Sequence, residues 1–274
     1  MSASVASRLL PLVILALVAA SLGGCKTIGS TDTTGSLAAA PQQRTEDDWR
    51  RESQALGERF RANPRDPDVA IRYAQALRAT GQRAQAAAVL ETAALHNPEN
   101  RSLLGAFGRA LADAGNFKQA LEVLERAHSP DQPDWRVLSV QGAVLDQMGR
   151  HAEAQRYYAS ALKIIPDEPS VLSNLGLSYA LSKDLRRAEE TLRRAAARGN
   201  ADRRVRQNLA LVVGLQGRFQ EAESIARADL PPVEAAANAA YLKQMLAQKG
   251  SPNFKKTIGS RTVQGLEPAE ESGS

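Results

Sequence analysis

From Pro67 onward the apolar and small residues recur every 34 positions without an insertion, in rows that begin at Pro67, Arg101, Trp135, Pro169 and Arg203. Within a row, columns 4, 7, 8 and 11 are mainly apolar or small, the spacing that places them on one face of an α-helix. Column 15 is Gly81, Gly115, Gly149 and Gly217, with Lys183 as the exception, which predicts a left-handed residue ending that first helix. A second amphipathic helix follows. It runs toward a proline at column 32 in Pro98 and Pro166, with Pro64 one period earlier, where a continued helix would clash with the ring. Column 8 (Ala74, Gly108, Gly142, Gly176, Ala210) and column 20 (Ala86, Ala120, Ala154, Ala188, Ala222) hold only Ala or Gly, so paired helices can come close there. Larger residues at columns 11 and 24, such as Leu77, Leu90, Leu124 and Tyr158, fill the space beside them. A single row cannot bury its own apolar face, so the rows must stack.

The small residue at column 8, Ala at 20 and 27 and proline at 32 resemble the tetratricopeptide repeat. That resemblance implies an all-α, right-handed superhelical solenoid with flanking capping helices, and five repeats cover 67–230. Armadillo and HEAT repeats have longer periods. Four departures stand out: Gln141 at column 7, Arg206 at column 4, and Gln132 and Asn200 in place of the column-32 proline. Upstream, 45–62 reads as one helix with Trp49, Leu56 and Phe60 on its apolar side, the remnant of a degenerate repeat within 45–66. Downstream, Pro231 and Pro232 end the fifth repeat, and a capping helix is predicted in 231–249. The polar tail, 250–274, reads as disordered.

The chain's one cysteine changes the picture of the N-terminus. Arg8, an apolar run from Leu9 to Ala20 and small residues after it have the layout of a secretory signal in 1–24 that is too short to span a bilayer. Leu22, Gly23, Gly24 and Cys25 are similar to the lipobox of bacterial lipoproteins. By that resemblance Cys25 becomes the acylated N-terminus, and several acyl chains give stable anchoring at about 0.8 kcal/mol per buried methylene. Lys26 stands where an Asp would retain a lipoprotein in the inner membrane, so the implied destination is the periplasmic face of the outer membrane. Positions 25–44 are rich in Ser, Thr, Gly, Ala, Pro and Gln and read as a flexible tether, with a reach of about 25 Å.

Composition narrows the chemistry further. With 35 Lys+Arg against 30 Asp+Glu and no basic run, no nucleic-acid footprint is indicated. His96, His128 and His151 lie at irregular columns with no metal-ligand spacing and read as surface or helix-end residues. Glu189, Glu190, Arg193 and Arg194 read as an ion-pair strip on a helix surface. No nucleophile motif is present and no cofactor is implied, so the sequence points to a binding surface and not to an enzyme.

In the repeat family the first helices line a concave face, and columns 2, 5, 6, 9, 12 and 13 point into it once 4, 7, 8 and 11 are used for packing. Early rows place Gln75, Arg78, Arg109, Asp113, Arg136, Asp146 and Gln147 there, whereas later rows place Leu177, Leu181, Leu211 and Leu215 beside Asn174, Arg204 and Asn208. This C-terminal half is the expected groove for an apolar or helical segment of a protein partner. A carboxylate clamp of the chaperone-type repeats is matched only in part, because Ser139 and Ala143 stand where a Lys and an Asn are needed.

The stretch "QNLALVVGLQGRFQEAESIARADLPPVEAAANAAYLKQML", Gln207 to Leu246, resembles the TadD family of tetratricopeptide lipoproteins in the tight-adherence (Flp, type IVc) pilus assembly system. The resemblance implies an outer-membrane-anchored periplasmic adaptor that assists assembly or localisation of the secretin channel, with the secretin or other pilus components as partners. A lipoprotein adaptor for peptidoglycan hydrolases or proteases is the alternative that the same repeats allow.

Overall fold

The computed structural model describes residues 44–249, and within them the chain is helical throughout. A leading helix, α1 (Glu46–Ala62), is followed by five helix pairs. These are α2 (Pro67–Ala79) with α3 (Arg83–His96), α4 (Arg101–Asp113) with α5 (Phe117–Arg126), α6 (Trp135–Gln147) with α7 (His151–Ile164), α8 (Pro169–Leu181) with α9 (Leu185–Ala196), and α10 (Arg203–Leu215) with α11 (Phe219–Ala226). The last helix is α12 (Pro232–Lys249). Every first helix begins on the first residue of a 34-residue row.

A column of caps explains that regularity. Asp66, Asn100, Asp134, Glu168 and Asp202, each one residue before a row, accept backbone N–H bonds from the first turn of the helix that follows. Each such cap contributes about 1 kcal/mol. At the other end, the column-15 residues adopt positive φ, from 75° to 85° at the four glycines and 69° at Lys183. The next N–H reaches back to the column-11 carbonyl, as from Gln82 to Leu77 at 2.8 Å and Arg150 to Leu145 at 2.8 Å, the Schellman closure. Lys183 therefore adopts the backbone that the glycines adopt freely, at a steric cost.

Close approach of each pair is fixed by columns 8 and 24. A Cβ added at Gly108 would lie 2.4 Å from Leu124 Cγ, one at Gly142 2.7 Å from the Tyr158 ring, and one at Gly176 2.6 Å from Leu192 Cγ. The column-20 alanines are buried beside them. Second helices are longest where column 32 is proline: α3 and α7 have 14 residues, against 10, 12 and 8 for α5, α9 and α11. Where Gln132 replaces the proline, the chain turns through a short bridge between Ser129 and Gln132 instead.

Two of the departures from the pattern are matched by a partner elsewhere. Arg206 at column 4 makes a two-pronged bond at 2.7 and 2.6 Å to Asp229, which replaces Ala at column 27 of the same repeat. Gln141 at column 7 is buried, and its Oε1 lies 3.1 Å from His128 Nε2. The first helices are also buried more widely than their strongest periodicity indicates. Column 3 (Val69, Leu103, Val137, Val171, Val205) and column 10 (Ala76, Ala110, Val144, Ser178, Val212) are buried in every repeat, because each first helix packs against the preceding repeat as well as its own partner.

Successive first helices, α2 to α4 to α6 to α8 to α10, touch one another, and α12 continues that line against α10. Second helices of successive repeats do not approach at the backbone among the described residues. An array whose first helices are closer than its second helices curves toward the first helices, so these line the concave face. Leu242 of α12 sits where a Cβ on Gly214 would be, at 2.8 Å, which seats the capping helix on α10.

Candidate functional site

At the C-terminal end of the concave face the structure distributes the seven predicted residues over three roles. Leu181 and Leu211 are exposed, at 55% and 38%, while Leu177 and Leu215 are half-buried, so an apolar strip does lie open on α8 and α10. Asn174 and Asn208 are tied between repeats: their side-chain amides donate to Ser139 Oγ at 3.3 Å and Ser173 Oγ at 2.9 Å. Arg204 is exposed and lies 3.5 Å from the Asp202 carboxylate. Leu211 alone of the seven lines the adjacent cavity.

That cavity, of about 440 Å³, lies between α10, α11 and α12. Its cause is visible in the repeat: Ala210 and Ala226 meet at columns 8 and 24, where every earlier repeat sets a small residue against Leu or Tyr. The missing side-chain volume leaves a recess, walled by Leu211, Leu230, Ala239, Tyr241 and Leu242 and rimmed by Gln207 and Asn238. The α12 wall was not legible as a site in the sequence, although Ala226 in a column of Leu and Tyr was the signal for it. Tyr241 is 67% exposed, so an aromatic ring extends the apolar edge outward. Behind the recess, the hydrogen bonds from Arg206 hold the Asp229 carboxyl below its usual range, and Asp229 stays ionised at neutral pH.

The middle of the concave face is more occupied than its polar columns suggest. Asp146, expected to face the groove, is instead buried at the α6–α7–α8 junction. Its carboxylate lies 2.8 Å from His151 Nδ1 and accepts from Tyr158 Oη at 3.1 Å and Ser178 Oγ at 2.8 Å. Burial, then the Asp146 charge, push the Tyr158 phenol well above its ordinary range, so it remains a donor. All three histidines lie at helix ends, as the sequence indicates: His96 is exposed, while His128 and His151 are half-buried and tie to Gln141 and Asp146. The Glu189 strip exists and spans two repeats: Glu189 binds Arg193, Arg218 and Gln216, while Arg194 turns away to Asp167.

Among the described residues no group of three His, Cys, Asp or Glu side chains could hold a metal ion. No described helix is long and apolar enough to cross a membrane. Cys25, the signal segment 1–24, the tether through 43 and the tail 250–274 lie outside the described residues. The chemistry that the site offers is burial of apolar side chains beside amide and guanidinium groups.

The fold is an all-α solenoid of tetratricopeptide type, with paired helices and flanking helices. The family model for the tetratricopeptide repeat matches residues 77–143 and 147–212. No curated protein matches the sequence. Among solved structures, PilW, a widely conserved type IV pilus biogenesis factor, is similar at 16% identity with a TM-score of 0.62, over 71% of this chain and 91% of that one. TTC0263, a thermophilic repeat protein of Thermus thermophilus, is similar at 21% identity with a TM-score of 0.56, over 65% of this chain and 100% of that one. Pseudomonas aeruginosa pilF is similar at 16% identity with a TM-score of 0.51, over 78% of this chain and 90% of that one. At these identities the likeness is one of fold.

Proposed function

We propose that the protein is an outer-membrane-anchored periplasmic adaptor for Tad/Flp pilus assembly, lipidated at Cys25, that assists assembly or localisation of the secretin. The observation that carries this reading is the C-terminal unit of the array. The stretch 207–246 that resembles the TadD family folds as α10, α11 and α12 around the apolar recess, beside the exposed Leu181 and Leu211. A second support is the fold shared with PilW, itself a pilus biogenesis factor. In this reading an apolar or helical segment of the secretin, or of another pilus component, lies across Leu177, Leu181, Leu211 and Leu215 and inserts a side chain beside Leu211 into the recess. The lipid at Cys25 supplies the address, and the tether lets the array stand clear of the headgroups.

The test compares heat-resistant secretin multimers in outer membranes of cells carrying the intact protein, a deletion, Cys25→Ser, and Leu177→Arg with Leu211→Arg. Loss of multimer in the deletion and in the groove variant, with mislocalised secretin in Cys25→Ser, is the expected pattern. Normal multimer in all four refutes the secretin role. Co-purification with a peptidoglycan hydrolase or protease instead would assign the array to the cell wall.

A further inference from the structure

The opposite end of the concave face has a different chemistry. Between α2, α4 and α6 lies a second recess, of about 370 Å³, whose lining includes Arg78, Arg101, Arg109 and Arg136 but only one acid, Asp134. It continues through Gln75 and Arg78 into a shallower depression that adds Arg83 and Asp113. Its floor is apolar, formed in part by Ile71, Val137 and Val140. Three of the four arginines are engaged: Arg78 with the Asp113 carboxylate, Arg101 with Gln132 Oε1 at 2.6 Å, and Arg136 over the Trp135 ring at 4.4 Å. Arg109 makes no ion pair or side-chain hydrogen bond among the described residues. Arg109 is exposed; crowding by protein atoms and then the charge of Arg78 lower its pKa, against the opposing pull of Asp113 and Asp134. No carboxylate among the described residues touches the Arg109 guanidinium, which stands open to solvent beside a second cation and is free to take a carboxylate from outside.

We propose that this N-terminal half of the concave face binds a short acidic segment of a protein partner, with one carboxylate against Arg109 and a neighbouring apolar side chain on the Ile71–Val137–Val140 floor. Charge complementarity selects the occupant: four arginines and one acid line the recess, cations remain in excess even with Asp113 paired to Arg78 at its edge, and a planar guanidinium pairs a carboxylate in two-pronged fashion. The apolar floor selects a peptide over a free inorganic anion, which would gain nothing from it. This site is separate from the leucine strip on α8 and α10, so it stands or falls independently of the pilus reading. A partner touching both would be held through two chemically distinct contacts on one curved face.

The test is fluorescence anisotropy with the purified full chain in mild detergent. The probe is a fluorescein-labelled Gly-Glu-Ile-Glu-Glu-Gly peptide, and the control is its Gln-for-Glu counterpart. The Glu peptide is expected to bind, and the Gln peptide to bind about tenfold or more weakly. Arg109→Met, which keeps the aliphatic stem, is expected to weaken the Glu peptide by a similar factor and to reduce the loss of affinity between about 0.05 and about 0.5 M salt. Arg186→Met, on the exposed outer surface of α9, is expected to leave binding unchanged. Equal binding of the two peptides, no binding, or full binding by Arg109→Met would overturn the assignment. So would Arg109-dependent binding to phosphatidylglycerol vesicles without peptide binding, or Arg109-dependent self-association in sedimentation. Peptide binding that emerges only after removal of 250–274 would assign the recess to the chain's own Glu267, Glu270 and Glu271, and would equally overturn a partner's segment as occupant.

Discussion

Gly176→Ala tests the close approach that sets the repeat geometry. In an isolated helix the change is favourable by about 1 kcal/mol, because Ala restricts the unfolded backbone and Gly does not. In this protein the added Cβ would lie 2.6 Å from Leu192 Cγ and 3.2 Å from both Leu192 Cδ1 and the Ala188 carbonyl oxygen. Leu192 is fully buried, and the atom met first is a branch point that cannot swing aside. Overpacking of this kind costs about 1–3 kcal/mol, and the backbone oxygen places it in the upper part of that range, for a net loss of about 1–2 kcal/mol. Leu192→Ala alone costs about 2–5 kcal/mol through its cavity. In the Leu192→Ala background only the Ala188 oxygen remains close to the Cβ at 176, so the same substitution becomes neutral or slightly stabilising, a coupling of about 1–2 kcal/mol. The fifth repeat already contains the compensated pair in Ala210 and Ala226. Urea unfolding of the four chains followed by far-ultraviolet circular dichroism measures the cycle, with m-values compared to establish that unfolding remains cooperative. Additive effects, or a neutral Gly176→Ala in the otherwise intact chain, would refute the argument that Leu192 fills the place a side chain at 176 would take.

Lys183→Gly is expected to raise stability by about 0.5–1 kcal/mol, read as a higher Tm, since Lys183 holds a positive φ of 69° that its four counterparts hold as glycine. Arg206→Leu and Asp229→Ala should each destabilise the fifth repeat, the former more because it leaves a carboxylate only 9% exposed without its partner. Together they restore the pattern of the other repeats, and the double variant should unfold at or above the urea midpoint of the parent. Glu189 loses water on burial, but hydrogen bonds from Arg218, Arg193 and Gln216 outweigh this and hold its pKa near about 2. The folded state therefore binds fewer protons than the unfolded one between 4.5 and about 2, and stability falls as pH falls through that window. Arg193 and Arg218 are themselves 47% and 40% exposed, so screening leaves about 1–2 kcal/mol of a nominal 3, and the stability difference from Glu189→Gln should vanish by about pH 2.

The glycine ends and the columns that pack within a pair were legible because each is a local rule repeated at one period. Asp66, Asn100, Asp134, Glu168 and Asp202 carry a periodic signal of the same kind, one position outside the rows as aligned. The buried columns 3 and 10 were harder to see. Their partners belong to the preceding repeat, so they widen the apolar face of the first helix without altering its strongest period. Pairs such as Arg206 with Asp229 look like two unrelated irregularities until the fold sets them together. Asn174 and Asn208 show the converse. Read as free ligands on the groove, they are spent on Ser139 and Ser173, 35 residues back, one row plus one position. The same offset joins Arg78 to Asp113. Arg109 was placed on the concave face from its column, but its lack of a partner emerges only when the neighbouring helices are in place.

The contact of first helices along one line, with second helices held apart, also has a mechanical meaning. Such a stack bends about the inner line as a fan opens about its rivet, so a change in groove width is taken up mainly on the side of the second helices. Its stiffness is uneven. Arg193 to Glu221 and Arg218 to Glu189 act as struts between α9 and α11, whereas no ion pair joins α3 to α5 or α5 to α7 among the described residues. The curve of the outer face is thus pinned at one place, between α9 and α11, while the inner line is tied at its other end by Arg78 and Asp113.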